Sequence, residues 1–322
     1  MAITFHPLGQ FSLTAAAAFA EDFPGTRAEG PPKALRYAWA VDGDWRTVQV
    51  TVRQEDEAIH AELGDQPPAR LARRAARDLE RMLSLDVDGT DFAALGERDD
   101  VVRALQRRFP GLRPVLFYTP YEAAAWAIIG QRIRMTQAAT IKERLSDELG
   151  KSGAFPAPAL LAELSAPQPG LTDRKIGQLR ALATAAEDGA LTRERLRAMT
   201  HEDGLEHLQQ LPGIGPFSAE LILIRGAGNP DALPDHDTRL DDAIRSAYST
   251  SDDSAIHQIT ESWRPYRAWV ALLLRAWREA ETGEIARGRR STTRLQPPDA
   301  NMSEGTQPDF CSQAPRTPKP AV

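Results

Sequence analysis

Leu211-Pro212-Gly213-Ile214-Gly215-Pro216-Phe217-Ser218 reads as a tight glycine hairpin running straight into a helix, and Asp237 follows Gly215 by 22 residues. Gly213 and Gly215 permit the positive φ angles that a sharp helix-to-helix turn needs, and they leave no side chain between backbone and ligand. Pro216 fits the first helical turn, where its missing N–H costs nothing. The N–H groups at a helix start have no intrahelical acceptor and lie at the positive end of the helix dipole. Such a site suits one phosphate and is indifferent to base sequence. An ordinary turn between two core helices can carry the same glycines, so the flanking residues must decide. Pro234-Asp235-His236-Asp237-Thr238-Arg239 is a polar loop that brings a carboxylate to a fixed distance from the hairpin. Within it, Asp235 reads as a turn residue or cap and His236 as an exposed loop histidine. Asp237 reads as the acting carboxylate. Together the two features suggest an enzyme working on a nucleotide inside a nucleic acid.

With 322 residues the chain can form two domains and a substantial core. Hydrophobic content of 42% and charged content of 26% fit a globular protein. No apolar run reaches the ~18 residues of a membrane span. The Ala-rich stretch after Thr14 has no Lys or Arg before it, so it makes a poor signal peptide, and a cytoplasmic location is expected. Cys311 is the only cysteine, which excludes an intrachain disulfide framework and a cysteine-built zinc site. The net charge of -6 does not by itself favour nucleic acid. Its distribution matters more than the total: from Trp263 to Arg294 there are eight arginines against three glutamates, which gives the C-terminal part the composition of a basic face.

Three units are expected along the chain. Residues 1–68 read as a small α+β unit, with a short helix at 12–23 and strands at 35–41, 46–53 and 58–63 in strand-like alternation. Asp42-Gly43-Asp44 makes the hairpin turn between the first two strands, so the sheet is predicted to be antiparallel. Residues 69–283 are helical, with predicted helices over 69–83, 121–129, 136–149, 175–186, 205–210, 216–225 and 263–279. Residues 284–322 are rich in proline and poor in large apolar residues, the composition of a disordered tail.

Leu211-Pro212-Gly213-Ile214-Gly215-Pro216-Phe217-Ser218-Ala219-Glu220 resembles the helix-hairpin-helix of the DNA glycosylase superfamily, and the loop ending in Asp237 resembles that superfamily's loop with its essential aspartate. Three further segments resemble the 3-methyladenine DNA glycosylase II branch: Tyr121 to Ile133, Gly170 to Lys175, and Trp263 to Trp269. The resemblance covers roughly Pro114 to Glu279. It implies a mainly α fold, an all-helical glycosylase core beside a small N-terminal α+β domain. The implied activity is removal of alkylated purines of the 3-methyladenine and 7-methylguanine type from double-stranded DNA during base excision repair, by a monomer that needs no cofactor.

By the resemblance Asp237 is catalytic, stabilising an oxocarbenium-like sugar and orienting or deprotonating a water. Phe217 stands where strand-cleaving relatives hold a Schiff-base lysine, so a monofunctional enzyme is expected. Phe217, Tyr121, Trp126 and Leu221 are the expected pocket residues, and Leu221 departs from a tyrosine common in the family. Tyr118, Trp263, Tyr266 and Trp269 are further aromatics of the matched segments, most of them expected in the core. Gly213, Ile214, Gly215 and Ser218 are expected to hold DNA. Gln131 and Arg132 occupy the turn that supplies an intercalating residue, with Arg132 as the wedge. A monovalent cation, Na⁺ or K⁺, is implied at the main-chain carbonyls of Gln209, Leu211 and Ile214. Other readings are a glycosylase for another modified or mismatched base, or a non-catalytic helix-hairpin-helix damage sensor.

Overall fold

The computed structural model describes residues 1–22, 34–234 and 237–283. Asp235, His236, Cys311 and the whole expected tail fall outside the described residues.

The N-terminal unit is a four-stranded antiparallel sheet, β1 (Ala2–Phe5), β2 (Leu35–Ala40), β3 (Thr47–Glu55) and β4 (Ala58–Leu63), in the order β1-β4-β3-β2. Val48, Val50 and Val52 of β3 alternate inward, as the period of a half-buried strand requires. The turn at Asp42–Asp44 closes with Val41 N–H donating to Arg46 O at 3.0 Å. β1 was not legible in the sequence, being four residues with none fully buried. The expected first helix runs over Leu13–Asp22.

Helices dominate from Ala69 onward. Pro120–Gly130 is capped by Thr119, whose hydroxyl accepts from Glu122 N–H at 3.1 Å, and Pro120 takes the first position. Nine of its eleven residues are buried, so it is the central helix and has no solvent face. Helices at Met135–Leu149 and Asp173–Glu187 pack against it, and His201–Gln209 packs on Pro216–Leu221. The expected helix at 216–225 is α-helical only over Pro216–Leu221 and continues as a π-helix over Ile222–Ala227. The expected helix at 263–279 starts later, at Arg267, and ends at Thr282. Pro265 explains the late start, because it lacks an N–H and bars the preceding residue from the helical region.

The apolar interior forms two clusters. One joins the sheet to helices between residues 69 and 112 and to those between 240 and 276. The other lies within residues 117 to 227 and surrounds the central helix. The boundary expected at residue 68 therefore separates stretches of chain and does not separate cores: Val50, Leu79 and Trp269 share one cluster.

A buried cation joins the two clusters. Arg193 has no exposed surface. Its Nε donates to Gly226 O at 2.9 Å, and its Nη2 donates to Phe117 O at 3.0 Å and Tyr118 O at 3.1 Å. Nη1 lies 3.8 Å from the Asp78 carboxylate, and its backbone N–H donates to Asp42 Oδ2 at 2.7 Å. Asp78 also accepts from Trp39 Nε1 and from Asp42 N–H. Burial pushes the Asp78 carboxyl up to about 6, against the pull of Arg193. In the unfolded chain the group titrates near ~3.9. The folded state thus holds the extra proton between these values, and this group's contribution to stability falls as pH rises through that window. The urea midpoint of wild type, measured relative to that of Asp78→Asn, is expected to fall between pH 4 and pH 6.5. A constant difference across that range would contradict the assignment.

Candidate nucleic-acid interface and active site

The hairpin is built by two short helices that meet at Gly213. Thr200 caps the first, accepting from Asp203 N–H at 3.1 Å. Gly213 has φ +90, and a Cβ there would stand 2.6 Å from the Gln178 side chain. Gly215 differs from the expectation: with φ -97 and ψ -177 it is extended backbone that any residue adopts. A Cβ on Gly215 would meet nothing within 4 Å. Its requirement is therefore open space at the surface rather than backbone freedom. Ile214 is buried and pins the turn, while Pro212, Gly215 and Phe217 are exposed. Gly215 provides no side-chain cap, so the first-turn N–H groups of Phe217 and Ser218 are left to an external acceptor.

Asp237 sits at the start of the helix Thr238–Tyr248, held from three sides. Its Oδ1 accepts from Arg239 N–H at 3.1 Å and Leu240 N–H at 3.2 Å. Arg275 Nη1 donates to Oδ1 at 2.9 Å and Oδ2 at 3.0 Å. Oδ1 thus carries three hydrogen bonds and Oδ2 carries one, which leaves Oδ2 as the oxygen with capacity for a water or a sugar. The preceding loop is bolted down as well. Asp231 pairs with Arg264 and Arg267, and both arginines also engage Glu261. Ala268 N–H donates to Pro230 O at 2.9 Å. Arg264 and Arg267 are therefore spent on holding the loop.

A cavity of about 600 Å³ opens beside Asp237, between the hairpin helix and Arg267–Thr282. That is room for one nucleobase, in the usual size range for ligand sites. Trp126, Phe217, Leu221, Gln131, Arg132 and Ser218 all border it together with Asp237. Phe217 is 57% exposed and stands at the rim, whereas Trp126 is nearly buried with its ring 6.4 Å from that of Phe117. Tyr121 does not border the cavity. Its ring is buried against Trp45 and Phe155, and its hydroxyl donates to Pro156 O at 3.0 Å. The all-round apolar pattern of the central helix gives no hint of which side Tyr121 faces. Tyr118, stacked on Trp39, and Trp263 and Tyr266, both buried, are core residues, and Trp269 reaches the wall with one edge. Phe19, Phe117, Arg225 and Arg275 also line the cavity and were missed. Of these, Arg275 carried a usable signal, as an arginine within an otherwise apolar helix stretch.

The turn after the central helix is strung between two supports. Gln131 Nε2 donates to Gly213 O at 2.6 Å, so Gln131 is a strut to the hairpin and not a free wedge. Lys175 Nζ donates to Ile129 O at 2.8 Å and Gln131 O at 2.9 Å, and partial burial lowers its pKa. Arg132 projects from this turn, exposed, with φ +57. At the proposed cation ligands, Leu211 O already accepts from Ile214 N–H at 3.1 Å, which leaves one lone pair there.

No family profile matches the chain. It is similar to the DNA-3-methyladenine glycosylase of Bacillus subtilis, 26% identical over 235 residues, covering 69% of this chain and 78% of that one. It is 29% identical over 180 residues to DNA-3-methyladenine glycosylase 2 of Escherichia coli, covering 52% of this chain and 60% of that one. Among solved structures, the 3-methyladenine DNA-glycosylase from Archaeoglobus fulgidus superposes with a TM-score of 0.70 at 22% identity, over 88% of this chain and 99% of that one. An 8-oxoguanine glycosylase/lyase from Clostridium acetobutylicum shares the fold with a TM-score of 0.55 at 18% identity, over 74% of this chain and 87% of that one. The fold is that of the helix-hairpin-helix DNA glycosylases, and the curated relatives that the chain is similar to are named as 3-methyladenine DNA glycosylases.

The two hairpin glycines are expected to respond differently to substitution. Gly213→Ala meets both a left-handed backbone and the Gln178 side chain, and is expected to lower stability by ~1–2 kcal/mol or more. Gly215→Ala meets neither and is expected to leave the melting temperature unchanged while weakening binding to DNA. Thermal melts and duplex titrations of both variants check this, and equal melts for the two would contradict it.

Proposed function

We propose that this chain is a monofunctional DNA glycosylase that hydrolyses the N-glycosidic bond of alkylated purines in double-stranded DNA. The carrying observation is Asp237, which borders a cavity with room for a nucleobase while its hydrogen bonds fix the carboxylate in place. Such a carboxylate needs little reorganisation when positive charge develops on the sugar, which is the condition for electrostatic catalysis. An alkylated purine departs as a neutral base, so the bond can break without a strong general acid. The water that completes the reaction gives its proton to Asp237 or to solvent.

The remaining residues divide the binding task. The N–H groups of Gly213, Gly215 and Ser218 hold a phosphate, while that of Ile214 is already given to Leu211 O. The target base must leave the duplex to reach the cavity, and Arg132 is placed to fill the space it vacates. Trp126 and Phe217 offer ring faces to the extruded base. Phe217 has no amine, so no Schiff base forms at this position. The main-chain carbonyls of Gln209, Leu211 and Ile214 are the candidates for a monovalent cation, which the chemistry above does not require. A monomer acting at the nucleoid fits this reading, and among the described residues no helix is long and apolar enough to cross a membrane.

A second reading, excision of an uncharged modified base, is favoured by the Arg275 guanidinium on the cavity wall, which offsets the negative charge of Asp237 and so weakens the site's attraction for a cationic purine.

Purified protein is expected to release 3-methyladenine and 7-methylguanine from methylated duplex DNA without strand cleavage. Mass spectrometry of bases released from a panel of modified duplexes separates the two readings. Asp237→Asn is expected to retain lesion binding and to lose ~10²-fold or more in rate. Full activity in that variant, or a borohydride-trapped protein–DNA adduct in wild type, would overturn the mechanism.

A further inference from the structure

The helix Ala69–Met82 carries five arginines, at 70, 73, 74, 77 and 81. Leu71, Ala72, Ala75, Leu79 and Met82 point into the core, which puts the arginines on the opposite side. Arg70, Arg73 and Arg77 are exposed, and Arg74 and Arg81 are half-buried. Arg74 acts electrostatically on Asp42 and Asp44, and Arg81 on Asp42 and Glu80, while Asp78 of the same helix is buried and Asp86 lies beside Glu80. Asp42 accepts from Arg193 N–H, Asp44 pairs with Arg46, and Asp86 pairs with Arg197. None of the five arginines makes an ion pair among the described residues. Like charges three and four residues apart on a helix repel, so an unpaired row of this kind works against its own helix. It stands on a chain of net charge -6.

From Arg70 to Arg81 the row extends about 16 Å along the helix axis. Duplex DNA presents one phosphate charge per ~1.7 Å of its axis, so a row of that length meets several phosphates. The row is also set apart from the hairpin. Arg74 Nη1 would stand 3.8 Å from a Cβ on Gly43, in the turn whose Trp45 packs on Tyr121 with ring centroids 5.4 Å apart. Tyr121 opens the central helix, and the wedge turn at Gln131 and Arg132 lies at its other end, about 15 Å away.

We propose that the arginine row of Ala69–Met82 is a second DNA-binding surface, which holds the phosphate backbone of a duplex segment other than the one engaged at the hairpin. Its contacts are to phosphates, so it is indifferent to sequence and to damage. A surface of this kind lets the protein pass between DNA segments. The proposal rests on the reading of the hairpin as the site of the lesion duplex.

The test uses the full chain and undamaged 14-base-pair duplexes, too short to reach both surfaces. The hairpin site is first filled with a duplex carrying a tetrahydrofuran abasic analogue. Sedimentation is expected to show a second, weaker duplex bound to wild type. The triple variant Arg70→Gln, Arg73→Gln, Arg77→Gln is expected to lose that second duplex. Its salt dependence of undamaged-DNA binding should become shallower by about 2–3 in log–log slope. A triple lysine variant is expected to keep both. Excision from a short damaged duplex should be unchanged in the glutamine variant. One duplex per wild-type chain, or an unaltered salt slope in the glutamine variant, would overturn the proposal. Loss of excision in a glutamine variant with a wild-type melt would place the row on the lesion duplex and overturn it too.

Discussion

The buried guanidinium of Arg193 is the joint on which the arrangement of the molecule depends. One lobe contains the sheet, Ala69–Met82 and Arg267–Thr282, and the other contains the central helix and the hairpin. Arg193 contacts Asp78 in the first lobe, Gly226 in the second, and the carbonyls of Phe117 and Tyr118 between them. Three hydrogens of this buried charge find carbonyl acceptors and Nη1 has the Asp78 carboxylate 3.8 Å away, so removing a partner is costly. Main-chain bonds reinforce the joint, from Leu116 N–H to Met82 O and from Phe117 N–H to Arg225 O, both at 2.8 Å. Arg225 follows the same logic. It donates to Val115 O and lies over the rings of Phe19 and Phe117, and burial lowers its pKa to about 10.

The site exists because the lobes are held at a set separation. Asp237 and Arg275 come from the first lobe, and Phe217, Leu221 and Trp126 from the second. The cavity is the gap between them. Within the second lobe the hairpin and the turn at Gln131 and Arg132 form one unit, because Gln131 and Lys175 tie the end of the central helix to Gly213 and to Asp173–Glu187. The hairpin therefore fixes where Arg132 stands, and its left-handed backbone belongs with this kind of over-determined turn.

Much of this was legible in residues alone. The hairpin, Asp237, the central helix and the antiparallel sheet all follow from short-range patterns: turn chemistry, capping and apolar period. What escaped was side-chain direction inside segments that are apolar on every side. Tyr121 and Trp126 are five residues apart on one buried helix, and only the packing of neighbours sends one to Trp45 and Phe155 and the other to the cavity. The π-helix after Leu221 escaped because no propensity separates it from an α-helix. Gly215 escaped differently. Its backbone is ordinary, and its need for open space is visible only with the surface around it.

The amino-acid order by itself determined the local elements and the chemical inventory. It set a glycine turn ahead of a proline-started helix, a carboxylate 22 residues beyond Gly215, and phenylalanine at position 217. These are properties of neighbours in the chain, set by backbone sterics and by the functional groups present. Tertiary structure alone decided that Arg275, 38 residues from Asp237, would grip its carboxylate, and that Gln131 would brace Gly213 across 82 residues. It also decided which aromatic rings border the cavity. Those contacts depend on how two lobes meet, and that meeting is governed by burial and by the satisfaction of buried charge, to which distant residues contribute together.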